Sequence, residues 1–291
     1  MVKKYSELYV EARQTLINAG EEPREAGVLA RQMLAFLSGK SNAELIADSE
    51  KYAQDDVIVS MEAAVKRLAA GEPMAYVMGE WEFYGLNLIV TPDVLIPRDD
   101  TVAVAEIAIR QALFLEEKPR ILDLCTGSGC IGLAIASRVK DAKVTLADLS
   151  REALAIAKKN VTLHKMTGRV SCVQVDALKE PPAFLGQFDM IVSNPPYITT
   201  QEMGELERSV SDFEPHLALW GGADGLDFYR SIARRYHKCL KPGGYLCFEF
   251  GDTQGDDVCQ ILTENGFTIR DRVRDYNQRE RAVIAQYCRE D

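Results

Sequence analysis

From Arg120 onward the chain alternates between short apolar segments and amphipathic segments with helical spacing, and this alternation constrains the fold more than any other feature. Alternating strands and helices favour a parallel sheet with right-handed crossovers. Strands are expected at 120–124, 143–148, 169–175, 188–193, 244–250, 267–273 and 281–287. The sequence therefore predicts an α/β protein with a seven-stranded, Rossmann-like sheet.

Residues 1–72 carry helical patterns and no strand pattern. Apolar residues recur at helical spacing over Tyr5–Ala19, Pro23–Leu37 and Val57–Ala70, and Ser41 is a candidate cap for a short helix through Ala47. No cluster of chemically active side chains occurs in this stretch. We therefore expect an N-terminal helical bundle that recognises a partner.

Residues 73–98 change character, because aromatic and β-branched residues alternate with glycine turns between Tyr76 and Val90. This pattern predicts a β-hairpin linker. Asp99 or Asp100 is then a candidate cap for a helix running to about Leu115. The predicted domains are a helical bundle at 1–72, a linker at 73–98 and a catalytic domain at 99–291.

Composition excludes several classes of protein. The 291 residues contain no apolar run of about eighteen residues, and the start of the chain lacks the apolar core of a signal peptide. Seven scattered cysteines form no Cys-x-x-Cys pair and the three histidines are not clustered, so no metal site is expected. The net charge of −10 disfavours a broad nucleic-acid footprint. These features indicate a cytoplasmic protein with reduced thiols.

The first predicted strand leads into a glycine loop that is typical of nucleotide cofactor sites. The loop alone is a weak signal, because dinucleotide-binding enzymes share it. Three later strands also end in polar or small residues, where ligands bind in open α/β sheets. Singly, each carboxylate could be a helix cap or a solvated charge. Together the predicted cofactor site comprises Asp123, Cys125, Thr126, Gly127, Ser128, Gly129, Asp148, Asp176, Ala177 and Asn194.

These positions suggest specific roles. Asp148 is placed to accept hydrogen bonds from ribose hydroxyls, and Asp176 with Ala177 is placed to meet an adenine ring. A carboxylate at Asp123 would repel a pyrophosphate but tolerate a sulfonium and an ammonium group. The sequence therefore favours S-adenosyl-L-methionine (AdoMet) over a dinucleotide.

The fourth strand ends in the segment Asn194-Pro195-Pro196-Tyr197. The Asn194 side-chain oxygen and the Pro195 carbonyl are two neighbouring acceptors, which together suit a planar NH2 group. Tyr197 offers the planar group a flat wall. Taken alone, such a segment is more often a rigid turn. Beside a cofactor loop it predicts an N-methyltransferase whose catalytic residues are Asn194, Pro195 and Tyr197.

With these motifs, nearly the whole chain resembles the protein-(glutamine-N5) methyltransferases of the HemK type. The block from Gly71 to Tyr76 and the segment from Gly221 to Gly225 are much more specific to this family than the cofactor loop. The matching blocks are Gly71-Glu72-Pro73-Met74-Ala75-Tyr76, Gly79, Glu82-Phe83-Tyr84-Gly85-Leu86, Val94-Leu95-Ile96-Pro97-Arg98, Asp123 to Gly129, Asn194 to Tyr197, Glu214-Pro215, Leu219, Gly221-Gly222-Ala223-Asp224-Gly225 and Lys241-Pro242-Gly243-Gly244.

The resemblance implies AdoMet-dependent methylation of the glutamine in the Gly-Gly-Gln loop of class I peptide chain release factors. It implies that the substrate lies against Arg98 and Asn194 to Tyr197. We separately expect the protein to be a monomer. Two departures stand out. The family usually continues Ile-Pro-Arg with Pro-Glu-Thr-Glu, whereas Arg98 is followed here by Asp99-Asp100-Thr101-Val102, and Cys125 stands where glycine is common.

Two other functions remain open at this stage. A related enzyme would methylate a ribosomal protein. An adenine amino-methyltransferase would use the same Asn-Pro-Pro-Tyr segment on DNA or RNA, because adenine also presents an NH2 group. The acidic balance and the absence of a Lys/Arg-rich appendage weigh against the second. A non-catalytic module with the same fold is disfavoured by the intact segment from Asn194 to Tyr197.

Overall fold

The structure is a computed structural model that describes residues 2–115 and 118–288. The predicted domain ends at residues 1 and 291 lie outside the described residues. The chain divides into two compact units. One contains the residues up to Gly79 together with Arg208–Phe213, and the other contains Glu80–Glu207 and Glu214 onward.

The first unit is helical, as expected for the N-terminal segment. Its helices surround an apolar core that includes the buried side chains of Leu16, Met33 and Met61. Ser41 caps the third helix in a capping box, because its hydroxyl accepts from the Glu44 N–H while its own N–H donates to the Glu44 carboxylate. The helices are α1 (Tyr5–Asn18), α2 (Pro23–Ser38), α3 (Asn42–Ala47), α4 (Asp55–Ala69) and α5 (Met74–Met78).

Helix α5 corrects part of the hairpin prediction. Residues 76–78 are helical rather than extended, and the helix ends at Gly79 in the left-handed conformation that glycine tolerates. The hairpin itself is confirmed by strands β1 (Glu80–Phe83) and β2 (Leu86–Ile89). Its tight turn places Tyr84 and Gly85 at φ 52° and 78°, the positive values that a two-residue hairpin turn requires.

The second unit contains the predicted seven-stranded sheet. Its spatial order is β5-β4-β3-β6-β7-β9-β8. The first five strands in this order are parallel, and β9 runs antiparallel to both of its neighbours. The strands are β3 (Arg120–Leu124), β4 (Lys143–Asp148), β5 (Val170–Gln174), β6 (Phe188–Ser193), β7 (Leu240–Glu249), β8 (Phe267–Arg274) and β9 (Glu280–Tyr287).

The expectation of a wholly parallel sheet was therefore wrong at its last strand. Only residues 275–279 separate β8 from β9, and they form a turn without a helix. A parallel pair needs a crossover of about a dozen residues, so this short connection forces an antiparallel pair.

Helices cover both faces of the sheet. Alternate residues of β3 belong to the apolar cores on opposite faces of the sheet. Ile121 belongs to one core and Leu122 to the other. The helices of the second unit are α6 (Val102–Ala112), α7 (Cys130–Arg138), α8 (Arg151–Leu163), α10 (Asp227–Tyr236) and α11 (Gly255–Glu264). The short helix α9 (Arg208–Ser211) belongs to the first unit.

The predicted acidic cap of α6 was wrong. Asp99–Thr101 forms a 3-10 turn that leads into α6, and the residue before α6 is Thr101, whose side chain makes no capping hydrogen bond. The two aspartates thus belong to the turn itself. This turn places Thr101 beside the end of β6, which matters for the site.

The strand order explains where a ligand can bind. From β3 the chain proceeds outward through β4 to β5, then returns to place β6 on the other side of β3. The loops after β3 and β6 therefore diverge and leave a crevice between them. Open α/β sheets bind ligands in this crevice.

Candidate active site

A cavity of about 230 Å³ opens at the carboxyl edge of the second unit's sheet. Ten of the fourteen predicted site residues line it, and they come from the ends of β3, β4, β5 and β6 and from the segment before α6. These are Arg98, Cys125, Thr126, Gly127, Ser128, Asp148, Asp176, Ala177, Asn194 and Pro196. The other four, Asp123, Gly129, Pro195 and Tyr197, lie next to lining residues but do not line the cavity themselves.

The glycine loop is tightly folded. Cys125, Gly127 and Gly129 have φ values of 62°, 54° and 86°. A Cβ on Gly127 would meet no atom within 4 Å, so its backbone faces open space. Cys125 is the exception to glycine in this run, and a side chain in the left-handed conformation costs about 1–2 kcal/mol.

Asp123 supports this loop from below. Its side chain is fully buried, and its Oδ2 accepts hydrogen bonds from Thr126 Oγ1 at 2.5 Å and from the Gly132 N–H at 2.9 Å. Burial raises the pKa of Asp123 to about 7. The Asp123 carboxyl therefore braces the loop, and its proposed contact with the cofactor stays a prediction.

Asp148 connects the loop to the end of β4. Its Oδ2 accepts from the Gly127 N–H at 2.8 Å and its Oδ1 accepts from the Ser150 N–H at 2.9 Å. Burial raises the pKa of Asp148, although the backbone donors act in the opposite direction. Each carboxylate oxygen retains a lone pair with which it can accept from a ligand hydroxyl.

The end of β5 is anchored by helix α10. The Tyr236 hydroxyl donates to the Asp176 carbonyl at 3.0 Å, and the Ser231 hydroxyl donates to the Ala177 carbonyl at 2.8 Å. The Asp176 carboxylate accepts from the Leu178 N–H at 2.9 Å. These contacts hold the two residues at the cavity wall.

Asn194 follows directly after β6. The Ser193 hydroxyl donates to the Leu124 carbonyl at 2.5 Å and ties this strand end to β3. The Asn194 Nδ2 donates to Thr101 Oγ1 at 3.3 Å. Because its NH2 group is engaged in this way, its Oδ1 remains the group that can accept from a ligand in the cavity.

The backbone after Asn194 packs against the glycine-rich segment Gly221–Gly225. A Cβ on Gly221 would lie 2.6 Å from the Pro196 carbonyl oxygen, closer than real Cβ atoms approach. The Gln254 side chain donates to the Tyr197 carbonyl at 3.1 Å. Close backbone packing therefore requires glycine here, and it holds Asn194 to Tyr197 in place.

Several residues at or near the cavity were not predicted from the sequence as site residues. Thr101 and His216 line it. Glu214 is buried, pairs with the Arg98 guanidinium and accepts from the Ile96 N–H at 3.2 Å. Glu249, at the end of β7, is 1% exposed. The position of Glu249 at a fifth strand end was the signal available in the sequence.

Two further features follow from the described residues. Over 2–115 and 118–288, the structure contains no helix of the length and apolarity needed to span a membrane. The same ranges contain no group of three or more His, Cys, Asp or Glu side chains arranged to hold a metal ion.

Comparisons with known proteins match both units. Residues 105–211 match the family model described as the methyltransferase small domain, and residues 7–79 match the PrmC N-terminal domain. Among solved structures, a methyltransferase from Pyrococcus furiosus is similar with a TM-score of 0.51 and 17% identity, over 77% of this chain and 98% of that one. This last likeness concerns the fold alone.

Two relatives are similar along most of their length. A release factor glutamine methyltransferase of Clostridium acetobutylicum is 36% identical over 253 residues, which cover 87% of this chain and 88% of the relative. One of Geobacter sulfurreducens is 38% identical over 253 residues, with 86% of each covered.

The doubly wound sheet and the strand-end cavity, with these matches, define an AdoMet-dependent methyltransferase. Within that class, the chain belongs to the family of the release factor glutamine methyltransferases. The predicted family, fold class and cofactor are confirmed.

Proposed function

We propose that this protein transfers the methyl group of AdoMet to the side-chain amide nitrogen of the glutamine in the Gly-Gly-Gln loop of class I release factors. The observation that carries the proposal is the position of Asn194, which lines the cavity and whose NH2 donates to Thr101, so that its Oδ1 is the group that can accept from the substrate amide. The names of the relatives support a release factor glutamine as the substrate.

The chemical problem is the weak nucleophilicity of an amide nitrogen, whose lone pair is delocalised into the carbonyl. Asn194 Oδ1 and the Pro195 carbonyl each accept one amide hydrogen and orient the nitrogen. The proline backbone is stiff, so these acceptors need little reorganisation. Orientation of this kind can lower a barrier by about 7–11 kcal/mol in favourable cases.

The residues around the cavity fit AdoMet. When bound, this cofactor supplies an electrophilic methyl group. Gly127 leaves open space above the loop, Asp148 offers acceptors to the ribose, and Asp176 with Ala177 forms the wall for the adenine. The buried Ser128 Oγ has no hydrogen-bond partner among the described residues and is a further group for the cofactor.

The part of the cavity wall that is not assigned to AdoMet is the proposed substrate side. Arg98 and Pro196 line it, and the half-exposed Leu217 and Trp220 add apolar surface. We propose that Tyr197 packs against the glutamine side chain. The helical domain predicted at 1–72 is proposed to recognise the release factor, and the enzyme is proposed to act as a cytoplasmic monomer without direct nucleic-acid binding.

The test is methyl transfer from labelled AdoMet to candidate substrates. We expect label on a purified class I release factor and none on the same factor with its Gly-Gly-Gln glutamine replaced by alanine. DNA, RNA and ribosomal proteins serve as the competing substrates. Label on nucleic acid or a ribosomal protein, with none on the release factor, would contradict the proposal.

A further inference from the structure

Asn160 is a fully buried polar residue of α8 that none of the roles above uses. Its neighbours on the buried face of this helix are apolar, among them Ala157 and Val161. Asparagine is a poor helix former, because its side chain competes for nearby backbone groups. A buried amide also needs hydrogen-bond partners. The partners of Asn160 therefore indicate why an asparagine stands on this face.

The Asn160 amide has three backbone partners. Its Oδ1 accepts from the Ile89 N–H at 2.7 Å, and its Nδ2 donates to the Ile89 carbonyl at 3.0 Å. The other Nδ2 hydrogen goes to the Ser128 carbonyl at 2.9 Å. A flipped amide would set its oxygen against a carbonyl and its NH2 against the Ile89 N–H. The three partners therefore fix the orientation of the side chain.

Helix α8 thus follows the edge of β2 that is not paired with β1. The N–H and the carbonyl of one strand residue point to the same side, so Asn160 bonds Ile89 as a neighbouring strand would. One turn further along α8, His164 Nε2 donates to the Asn87 carbonyl at 2.9 Å. Four helical residues rise about 6 Å and two strand residues about 6.8 Å, so the two spacings match.

The third partner, the Ser128 carbonyl, belongs to the glycine loop. It precedes α7 and lies outside the hydrogen-bond ladder of that helix, because the Gly132 N–H four residues on donates to Asp123 instead. Ser128 is buried, so its carbonyl depends on a protein donor. Asn160 is that donor, and its loss would leave the loop free to shift.

Asn160 therefore bonds two segments that each contribute to the cavity. Ser128 lines the cavity, and its buried Oγ has no hydrogen-bond partner within the described ranges. Ile89 comes shortly before the segment 93–98, which contributes lining residues from Asp93 to Arg98. All of these residues belong to the second unit.

We propose that Asn160 is a positioning residue, which holds Ser128 and the glycine loop in place beside the end of β2 so that the loop is preformed for AdoMet. Asn160 does not line the cavity and acts through the backbone of Ser128 and Ile89. The inference concerns the binding of AdoMet, so its failure is distinguishable from a failure of the proposed substrate.

Isothermal titration with AdoMet measures the effect of Asn160→Ala. We expect the dissociation constant to rise about tenfold, because ordering the loop then opposes binding. His164→Ala is the matched control, since it removes the other contact of α8 with β2 but none with the loop. Its dissociation constant should stay within about twofold of the wild type.

A merely structural role predicts a different result. Asn160→Ala would then unfold at a lower temperature without AdoMet, while the folded protein kept the wild-type affinity. An affinity in Asn160→Ala equal to that of the wild type overturns the proposal. An equal loss of affinity in Asn160→Ala and His164→Ala also overturns it, because the hairpin contact alone would then account for the effect.

A double-mutant cycle tests whether Asn160 acts through Ser128. Once the loop has shifted, the Ser128 hydroxyl should contribute little to AdoMet binding. The combined Asn160→Ala and Ser128→Ala variant should therefore lose less affinity than the product of the two single losses. Single losses that multiply exactly would show that the two side chains act independently, which contradicts the proposal.

Hydrogen exchange in the wild type provides a readout that needs no variant and no methyl transfer. The Ile89 N–H donates to Asn160 Oδ1, so AdoMet bound against the loop should stabilise this bond. We expect AdoMet to slow exchange of the Ile89 amide at least about threefold more than that of Leu86, at the other end of β2. Equal slowing at the two amides refutes the positioning role, whatever substrate the enzyme methylates.

Discussion

Replacing Asp148 by alanine should weaken AdoMet binding with little effect on folding. The carboxylate lines the cavity at the end of β4 and accepts one backbone hydrogen bond on each oxygen, from Gly127 and Ser150. Each oxygen keeps a lone pair that can accept from a ribose hydroxyl. The substitution therefore removes the proposed ribose contacts together with a brace of the glycine loop.

The magnitude follows from the type of contact. Losing a hydrogen bond to a charged group costs about 1.5–3 kcal/mol, which corresponds to a dissociation constant about 10- to 150-fold higher. The free energy of unfolding should fall by less than this. Burial disfavours the ionised form of Asp148 in the protein without AdoMet and raises its pKa, so the loss of this charge costs the fold little. Gly127 faces open space, so its freed N–H can bind water.

Isothermal titration with AdoMet measures the effect, and thermal unfolding without AdoMet measures the stability. Asp141→Ala is the control, because Asp141 is exposed and lies at the opposite end of β4. A dissociation constant within about twofold of the wild type would refute the ribose assignment. A large loss of stability in Asp148→Ala would instead make the residue structural.

Three further perturbations test other parts of the account. The pKa of Asp123 is about 7 in the folded protein, whereas its ordinary value is 3.8. Between these two pH values the native state binds more protons than the unfolded state, so the free energy of unfolding falls as pH rises. Between pH about 5 and 8 this part of the fall is on the order of 3 kcal/mol. Chemical denaturation of Asp123→Asn at these two pH values should lack it, and an unchanged pH dependence would contradict the assignment. A chain that begins at Glu80 should bind AdoMet but fail to methylate an intact release factor, and full activity would exclude recognition by the removed residues. Gly221→Ala should lower methyl transfer and leave AdoMet affinity nearly unchanged, because its Cβ would displace the Pro196 carbonyl. Normal turnover in Gly221→Ala would show that the close packing is dispensable.

Much of the fold could be predicted because local signals agree with one another. The strand predictions overlap all seven strands of the large sheet, since buried parallel strands are continuous apolar runs. Two local errors have physical causes. The turn between β8 and β9 is too short for a crossover, and Met74–Met78 forms a helix that packs in the first unit. Periodicity alone does not distinguish such a short apolar run from a strand.

The candidate site was predictable where it depends on strand ends. Asp148, Asp176 and Asn194 lie at or just after the ends of consecutive parallel strands, whose carboxyl ends share one edge. The buried surroundings of Asn194, including its hydrogen bond to Thr101, were not predictable in this way. Thr101 and Glu249 lie far from Asn194 in sequence, and only the sheet register and the 3-10 turn bring them near it. The burial of Asp123 likewise depends on how α7 packs over β3.

The central claim is that Asn194 orients the reacting amide nitrogen. One measurement distinguishes this role from that of a structural turn. It is the single-turnover rate of release factor methylation in Asn194→Ala with AdoMet bound normally. Asn277→Ala, at an exposed asparagine, is the control. We expect the Asn194→Ala rate to fall at least about a hundredfold, the loss typical of one preorganised polar group, while the control keeps the wild-type rate. A fall of less than about tenfold would mean that the Asn-Pro-Pro-Tyr segment only terminates a strand, and the mechanism proposed here would be wrong.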